Sequence, residues 1–349
     1  MQAAVLRNQK FHLESVDTPV AGPGQVLVKV RACGICGSDL HFFKHSGHIL
    51  EMAKKLGAPT ADMERGLKDG LILGHEFVGE VVALGEGAGA QVAVGDRVCS
   101  MPFVLKAAGP ALLGSTPETP GAYAQYMVLS EALCLKVDAS IPDEAAALTE
   151  PLGIAVHAVN KAGIQPGDVA VVVGCGTIGL AITAVLKMRG ITTIIASDLS
   201  PRRRALASTM GATEVVNGKE TSPVTKASEV ATGAKTVIFE NTGAPGMLAR
   251  IINEAPQNAK IVVSGIAPGE ERFIPMVAIM KELQLSFIIY YTMEEFTEAL
   301  AMIGGGKLDW RPLVTASVGL DSVNEAFKAL EDPEKHAKIL IDPRKTGGL

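Results

Sequence analysis

The chain is poor in cysteine for its length: five in 349 residues, irregularly spaced at Cys33, Cys36, Cys99, Cys134 and Cys175. So few exclude a disulfide-built scaffold and fit a reducing compartment. Basic residues never run beyond Arg202-Arg203-Arg204 and the formal net charge is -5, so nucleic acid is not an expected partner. Long apolar runs are missing as well, because the stretch from Ile178 to Ile195 is broken by Lys187, Arg189 and Gly190 before it could span a bilayer. No basic-then-apolar leader occupies Met1 to Lys10, and the expected location is the cytoplasm, with no membrane partner. What is present is 48% hydrophobic residue and 37 glycines against only 20% charge, the composition of a compact protein rich in buried strands and tight turns. A chain this long is expected to build two cores.

Its texture changes near Pro151. Before that point, short β-prone runs alternate with turn residues: Ala3 to Leu6, Val26 to Val30, Phe77 to Leu84, Val94 to Val98. These predict an irregular, mostly β domain, with one or two short helices between Phe42 and Leu73. Afterwards strand and helix patterns alternate: Val169 to Val173, Thr177 to about Arg189, Thr193 to Ser197, Pro201 to Met210, Val215-Val216, then Thr236 to Phe239, Met247 to Glu254 and Ile261 to Ser264. That order predicts a doubly wound parallel sheet of the Rossmann type. Amphipathic patterns at Glu294 to Ile303 and Ser322 to Leu330 and a last strand at Ile339 to Ile341 are expected to return to the first domain. The expected domains are 1–151 with 292–349, and 152–291.

Gly174-Cys175-Gly176-Thr177-Ile178-Gly179 follows a buried strand and opens a helix. Glycines there permit a tight turn and a close backbone approach to a pyrophosphate, which the helix N-terminus favours. Asp198, 19 residues after Gly179 at the end of the next strand, suits the ribose hydroxyls and favours NAD over NADP. Arg203 and its neighbours keep NADP open as the lesser alternative, and Gly265 is a further candidate cofactor contact. Glycines that merely pack a helix on a strand are the plain alternative.

A second constellation carries chemistry. Cys36, His75 and Glu76 bring a thiolate, an imidazole and a carboxylate, and Glu150 precedes Pro151 at the expected domain junction. Three mixed ligands with one open position describe catalytic zinc. Cys33-x-x-Cys36 alone would read as two buried thiols or a redox pair. In combination, Cys36-Gly-Ser-Asp-Leu-His41, Gly74-His-Glu76, Val94-Gly-Asp-Arg-Val98, Glu150-Pro-Leu152, the glycine loop and Asp198 resemble the zinc-dependent medium-chain dehydrogenase/reductase superfamily, in particular its sorbitol (polyol) dehydrogenase-like branch.

The resemblance spans nearly the whole chain. It implies a GroES-like catalytic domain beside the Rossmann domain, zinc held by Cys36 and His75 with Glu76 or Glu150 completing the set, and a homodimer or homotetramer paired through strands such as Leu283 to Tyr291. The implied activity is hydride transfer between NAD(H) and a secondary alcohol, its ketone or a polyol. Zinc would bring the hydroxyl pKa from about 16 toward about 7, and Ser38 and His41 are candidates for carrying the proton to solvent. Two other readings are an NADPH-preferring carbonyl reductase and a non-catalytic nucleotide-binding protein of the same fold. Departures matter too. The region from Cys99 to Gly121 has a single cysteine where many members of the family carry four, so one zinc ion per chain and no structural zinc is expected. Thirty-nine positions separate Cys36 from His75, longer than the resemblance implies. The extra material, about His45 to Gly70, is either a pocket lid favouring an apolar substrate or a surface excursion, with His45 and His48 expected as loop residues.

Overall fold

A computed structural model describes residues 1–267 and 269–349. In chain order the elements are β1 (Gln2–Arg7), β2 (Lys10–Ser15), β3 (Gln25–Gly34), α1 (Gly37–Lys55), α2 (Ala61–Asp69), β4 (Glu76–Leu84), β5 (Arg97–Ser100), β6 (Phe103–Lys106), β7 (Gly109–Leu112), β8 (Tyr126–Ser130), β9 (Cys134–Lys136), α3 (Asp143–Ala146) and α4 (Thr149–Ala162). Strand and helix then alternate through β10 (Val169–Val173), α5 (Thr177–Met188), β11 (Thr193–Ser197), α6 (Pro201–Met210), β12 (Glu214–Val216), α7 (Pro223–Val230), β13 (Thr236–Glu240), α8 (Met247–Glu254), β14 (Lys260–Val263), α9 (Pro275–Met280) and β15 (Gln284–Phe287). The chain closes with α10 (Met293–Gly304), β16 (Val314–Val318), α11 (Val323–Ala329) and β17 (Lys338–Ile341). It divides into two compact units: Met1–Glu150 with Leu300–Gly306 and Val314–Leu349, and Pro151–Ala299 with Lys307–Leu313.

The first unit is built on a mixed sheet in the order β16-β17-β3-β4-β5-β9, with β8 paired to β3. Inward positions of β3, namely Val26, Val28 and Val30, are buried while Lys29 is exposed, the alternation of a strand with one dry face. Those valines pack with Phe11, Phe77, Tyr123 and Phe327. The final strand β17 joins this sheet through Leu340 and Ile341 against Gly34 and Cys33. In the second unit six parallel strands run β12-β11-β10-β13-β14-β15. Every residue of β10 and β13 is buried, as central strands covered on both faces require.

Several local expectations change. The helix α1 begins inside the sequence motif, at Gly37, and continues to Lys55 across a kink at His45, so His45 and His48 are helical, not loop residues. Asp39 makes the early start possible, because its carboxylate accepts the Cys36 amide 3.1 Å away and closes the helix entrance. The α2 helix is seated on β1, where Arg7 donates to the Asp69 carbonyl and Leu71 bonds Leu6 backbone to backbone. Val94-Gly95-Asp96 forms a turn, and only Arg97 onward is strand, since the Asp96 carboxylate takes the Ala93 amide at 2.7 Å. Among Leu283 to Tyr291, only Gln284–Phe287 pairs.

Candidate active site

Sheet register assembles the first constellation. Antiparallel pairing of β3 with β4 sets Gly34 opposite Glu76 and Cys33 opposite Phe77, so Cys36, two residues beyond the end of β3, meets His75, one residue before β4. The long intervening excursion therefore does not disturb the meeting. The Cys36 thiol is near enough to His75 to act on its charge, and the Ser38 hydroxyl lies 3.4 Å from His75 Nε2.

On its other side, His75 turns Nδ1 toward Asp39 Oδ1 at 3.5 Å. Asp39 is buried, and it accepts the Tyr123 hydroxyl at 2.7 Å and the Cys36 amide. Burial raises the Asp39 pKa, against the pull of His75, Tyr123 and the Cys36 amide. Burial works against a charged His75, but Asp39, the Cys36 thiol and Glu150 outweigh it and push the imidazole well above its ordinary value. A carboxylate on one ring nitrogen with donor atoms gathered at the other is how a metal-binding histidine is oriented.

The two glutamates differ. Glu76 is buried and both its oxygens are held by Lys338 Nζ, at 2.6 and 2.9 Å. Lys338, itself 1% exposed, also donates to the Ile35 carbonyl. Gly34 makes room for this pair, because a Cβ there would stand 2.1 Å from Glu76 Oε2. Glu150 is buried in the first turn of α4 and acts electrostatically on both His75 and Lys338. Cys33 is fully buried, and burial, with the Asp39 and Glu76 charges, pushes its thiol well up, the state of an inert packing thiol. His41 on α1 is half-buried; its Nε2 is shielded from solvent and has no hydrogen-bond partner.

Among the described residues no three Cys, His, Asp or Glu side chains are drawn tightly enough to hold a metal ion. The donor chemistry nevertheless fits one: a thiol, an imidazole oriented by a buried carboxylate, and a further carboxylate whose charge acts on the same imidazole are the ligand types of an open zinc site. Asp39, Tyr123 and Lys338 were not singled out from sequence. Asp39 carried a signal, standing three residues after Cys36 at a helix entrance; the other two carried none.

The second unit holds the glycine loop. Gly174 adopts φ +90°, and a Cβ on Gly179 would lie 1.9 Å from the Gly174 carbonyl, so no larger residue fits at the helix start. A Cβ on Gly176 would meet nothing, which leaves that backbone open to an approaching ligand. Thr177 and Ile178 form the first turn of α5. Asp198 directly follows β11, with one oxygen on the Cys175 amide at 2.8 Å and the other on the Ser200 amide at 2.9 Å, while Arg203 stands 4.0 Å away. Gly265 follows β14, where a side chain would collide with Gly243 and Glu240. It borders a cavity of about 380 Å³ also lined by Glu240, Leu248, Phe273 and Phe287.

Comparison with known proteins gives two family matches: the alcohol dehydrogenase GroES-like domain over residues 22–139 and the zinc-binding dehydrogenase domain over residues 177–304. Similar proteins include (R,R)-butanediol dehydrogenase of Bacillus subtilis (strain 168), 33% identical over 98% of this chain and 100% of the relative. Sorbitol dehydrogenase of the same organism is 28% identical over 99% of this chain and 98% of its own. The crystal structure of 2R,3R-butanediol dehydrogenase from Bacillus subtilis superposes with a TM-score of 0.83 at 32% identity, covering 98% of this chain and 99% of that one.

Proposed function

The chain belongs to the zinc-dependent medium-chain dehydrogenase/reductase family, as an alcohol and polyol oxidoreductase with a GroES-like and a Rossmann-type domain, and from that premise we propose that it transfers hydride between NAD(H) and the secondary hydroxyl, or ketone, of a small diol or polyol. The observation that carries the reading is the meeting of Cys36 and His75 across the β3–β4 register with Asp39 behind the imidazole. The names of the similar butanediol and sorbitol dehydrogenases support the substrate class.

In this reading Cys36, His75 and Glu150 hold the metal, because Lys338 occupies both oxygens of Glu76. Zinc, when bound, supplies Lewis-acid polarisation of the substrate oxygen. The chain's own residues do the rest. Asp39 fixes the His75 tautomer so that Nε2 offers its lone pair. Ser38 and His41 carry the hydroxyl proton outward, and the orphaned Nε2 of His41 gains a partner when a hydroxyl reaches it. Asp198 keeps lone pairs beyond the two amides it already accepts, enough for two ribose hydroxyls. Its charge opposes a 2′-phosphate, which favours NAD; Arg203 and its neighbouring arginines argue for NADP.

We also expect a homo-oligomer. The sheet ends at β15, where Phe287 and Ile289 are exposed, and α9 exposes Met276, Ile279 and Met280, an apolar edge of the kind that copies of a chain pair through. All five cysteines are free thiols and no helix among the described residues is long and apolar enough to cross a membrane; we place the protein in the cytoplasm. Zinc content and turnover of Cys36→Ser test the site: loss of both is expected, and full activity with undiminished zinc would refute it. Turnover with both nucleotides tests the cofactor, and equal or better use of NADPH would overturn the reading of Asp198.

A further inference from the structure

The helix α1, which begins beside Cys36, carries three histidines at positions 41, 45 and 48, the middle one at its kink. The ring centroids of His41 and His45 lie 4.9 Å apart. Two imidazoles sharing one cation in tetrahedral geometry place their centroids roughly 5.2 Å apart, given metal–nitrogen distances near 2 Å. A spacing of four residues is the arrangement by which paired helical histidines chelate zinc; here His45 stands at the kink of α1, and the ring distance, not ideal helix geometry, carries the comparison. Two further observations point to a ligand. His41 Nε2 is buried and has no hydrogen-bond partner, a donor atom withdrawn from water with nothing to bind. Burial, with a lesser contribution from the neighbouring His45 and His48, lowers the His41 pKa and so favours the neutral form that ligates metal. Lys44, the cation next to His45, is paired with Glu331 at 2.8 Å and does not add unpaired charge there.

We propose that His41 and His45 form a second, low-affinity site for a divalent transition cation, separate from the catalytic donor set, and that its occupation inhibits the enzyme. Two protein donors with water in the remaining positions bind more weakly than the set built on Cys36 and His75, so the site fills only when free metal rises. Imidazole ligation selects zinc, nickel or copper over magnesium and calcium. Occupation engages the His41 nitrogen proposed to move the substrate proton. The inhibitory half of the inference therefore rests on the proton-path reading of His41, whereas the binding half does not.

The test uses the zinc-loaded enzyme and nickel ion as probe, with binding followed by calorimetry and turnover measured in parallel. The unsubstituted enzyme is expected to take up nickel beyond its resident zinc and to lose activity in step with that uptake. His45→Asn should weaken the uptake by about tenfold or more while leaving basal turnover as it was. His12, an exposed histidine on β2, serves as the control, and His12→Asn should leave both binding and inhibition intact. Nickel affinity unchanged in His45→Asn, or reduced equally in His12→Asn, would overturn the site. Nickel bound at the His45-dependent site with full turnover would overturn the inhibitory role, leaving the chelate and the dehydrogenase reading standing.

Discussion

Asp39 does three things with one carboxylate: it accepts the Cys36 amide, receives the Tyr123 hydroxyl and faces His75 Nδ1. A buried carboxylate stays in place only while its lone pairs are met, so Tyr123 is expected to steady His75 at one remove. Tyr123→Phe removes one oxygen from a fully buried ring and leaves the packing volume nearly intact. It should lower zinc affinity by about tenfold, read by competition with a chromophoric chelator, with the melting temperature as a check on folding; unchanged affinity would remove Tyr123 from the site. Gly179→Ala should abolish NADH binding, followed by nucleotide fluorescence, because its Cβ would meet the Gly174 carbonyl at 1.9 Å. Binding retained within about twofold would show that the loop shifts freely, contrary to the cost of overpacking. The approach of Cys36 to His75 and of the glycine loop to Asp198 was legible in the sequence because each residue lies in a short run whose pattern is local. Tyr123 and Lys338 were not, being joined to Asp39 and Glu76 across 84 and 262 positions, distances over which only tertiary packing decides.

Elements were legible where their period was strong. The buried runs of β10 and β11 and the helices after them were placed nearly to the residue. α1 was missed as a long helix because Ser46 and Gly47 interrupt its pattern and its start depends on the Asp39 side chain. Loops are held by similar side-chain anchors, and Glu131 is one in the first unit. Its carboxylate accepts the amides of Gly89, Gln91 and Val92 at 2.7 to 3.1 Å. The Gln91 amide, with Val92 and Gly89 behind it, holds its pKa below the usual carboxylate value despite the opposing effect of burial. A depressed folded-state pKa gives stability that is fully present above the unfolded value and is lost as pH falls through the folded one. Glu131→Gln should therefore destabilise the protein by about 1–3 kcal/mol near neutrality and remove part of the acid-side slope of stability. Urea unfolding at neutral and acidic pH measures both, and parallel curves for the two proteins would exclude the role.

For the whole molecule, the open question is what covers the end of the six-stranded sheet. β14 protects one side of β15, and no strand among the described residues pairs with the other. Ile289 is 70% exposed, and on α9 Ile279 and Met280 are each 72% exposed. An uncovered strand edge flanked by large apolar side chains invites association unless charge blocks it, and Gln284 to Phe287 carries no charge at all. A second copy offering the same edge would satisfy both, since a two-fold interface is self-complementary. The sequence disclosed β-prone residues here but not which end of the sheet they would occupy, because strand order is set by the crossovers. Light scattering after gel filtration should find a dimer or tetramer. Ile289→Lys should shift it toward monomer, since a buried unpaired charge at such an interface costs several kcal/mol. Nucleotide binding to the glycine loop, far along the strand order at β10 and β11, should survive in the dissociated variant. A chain already monomeric at micromolar concentration would mean that something other than its own copy covers this edge.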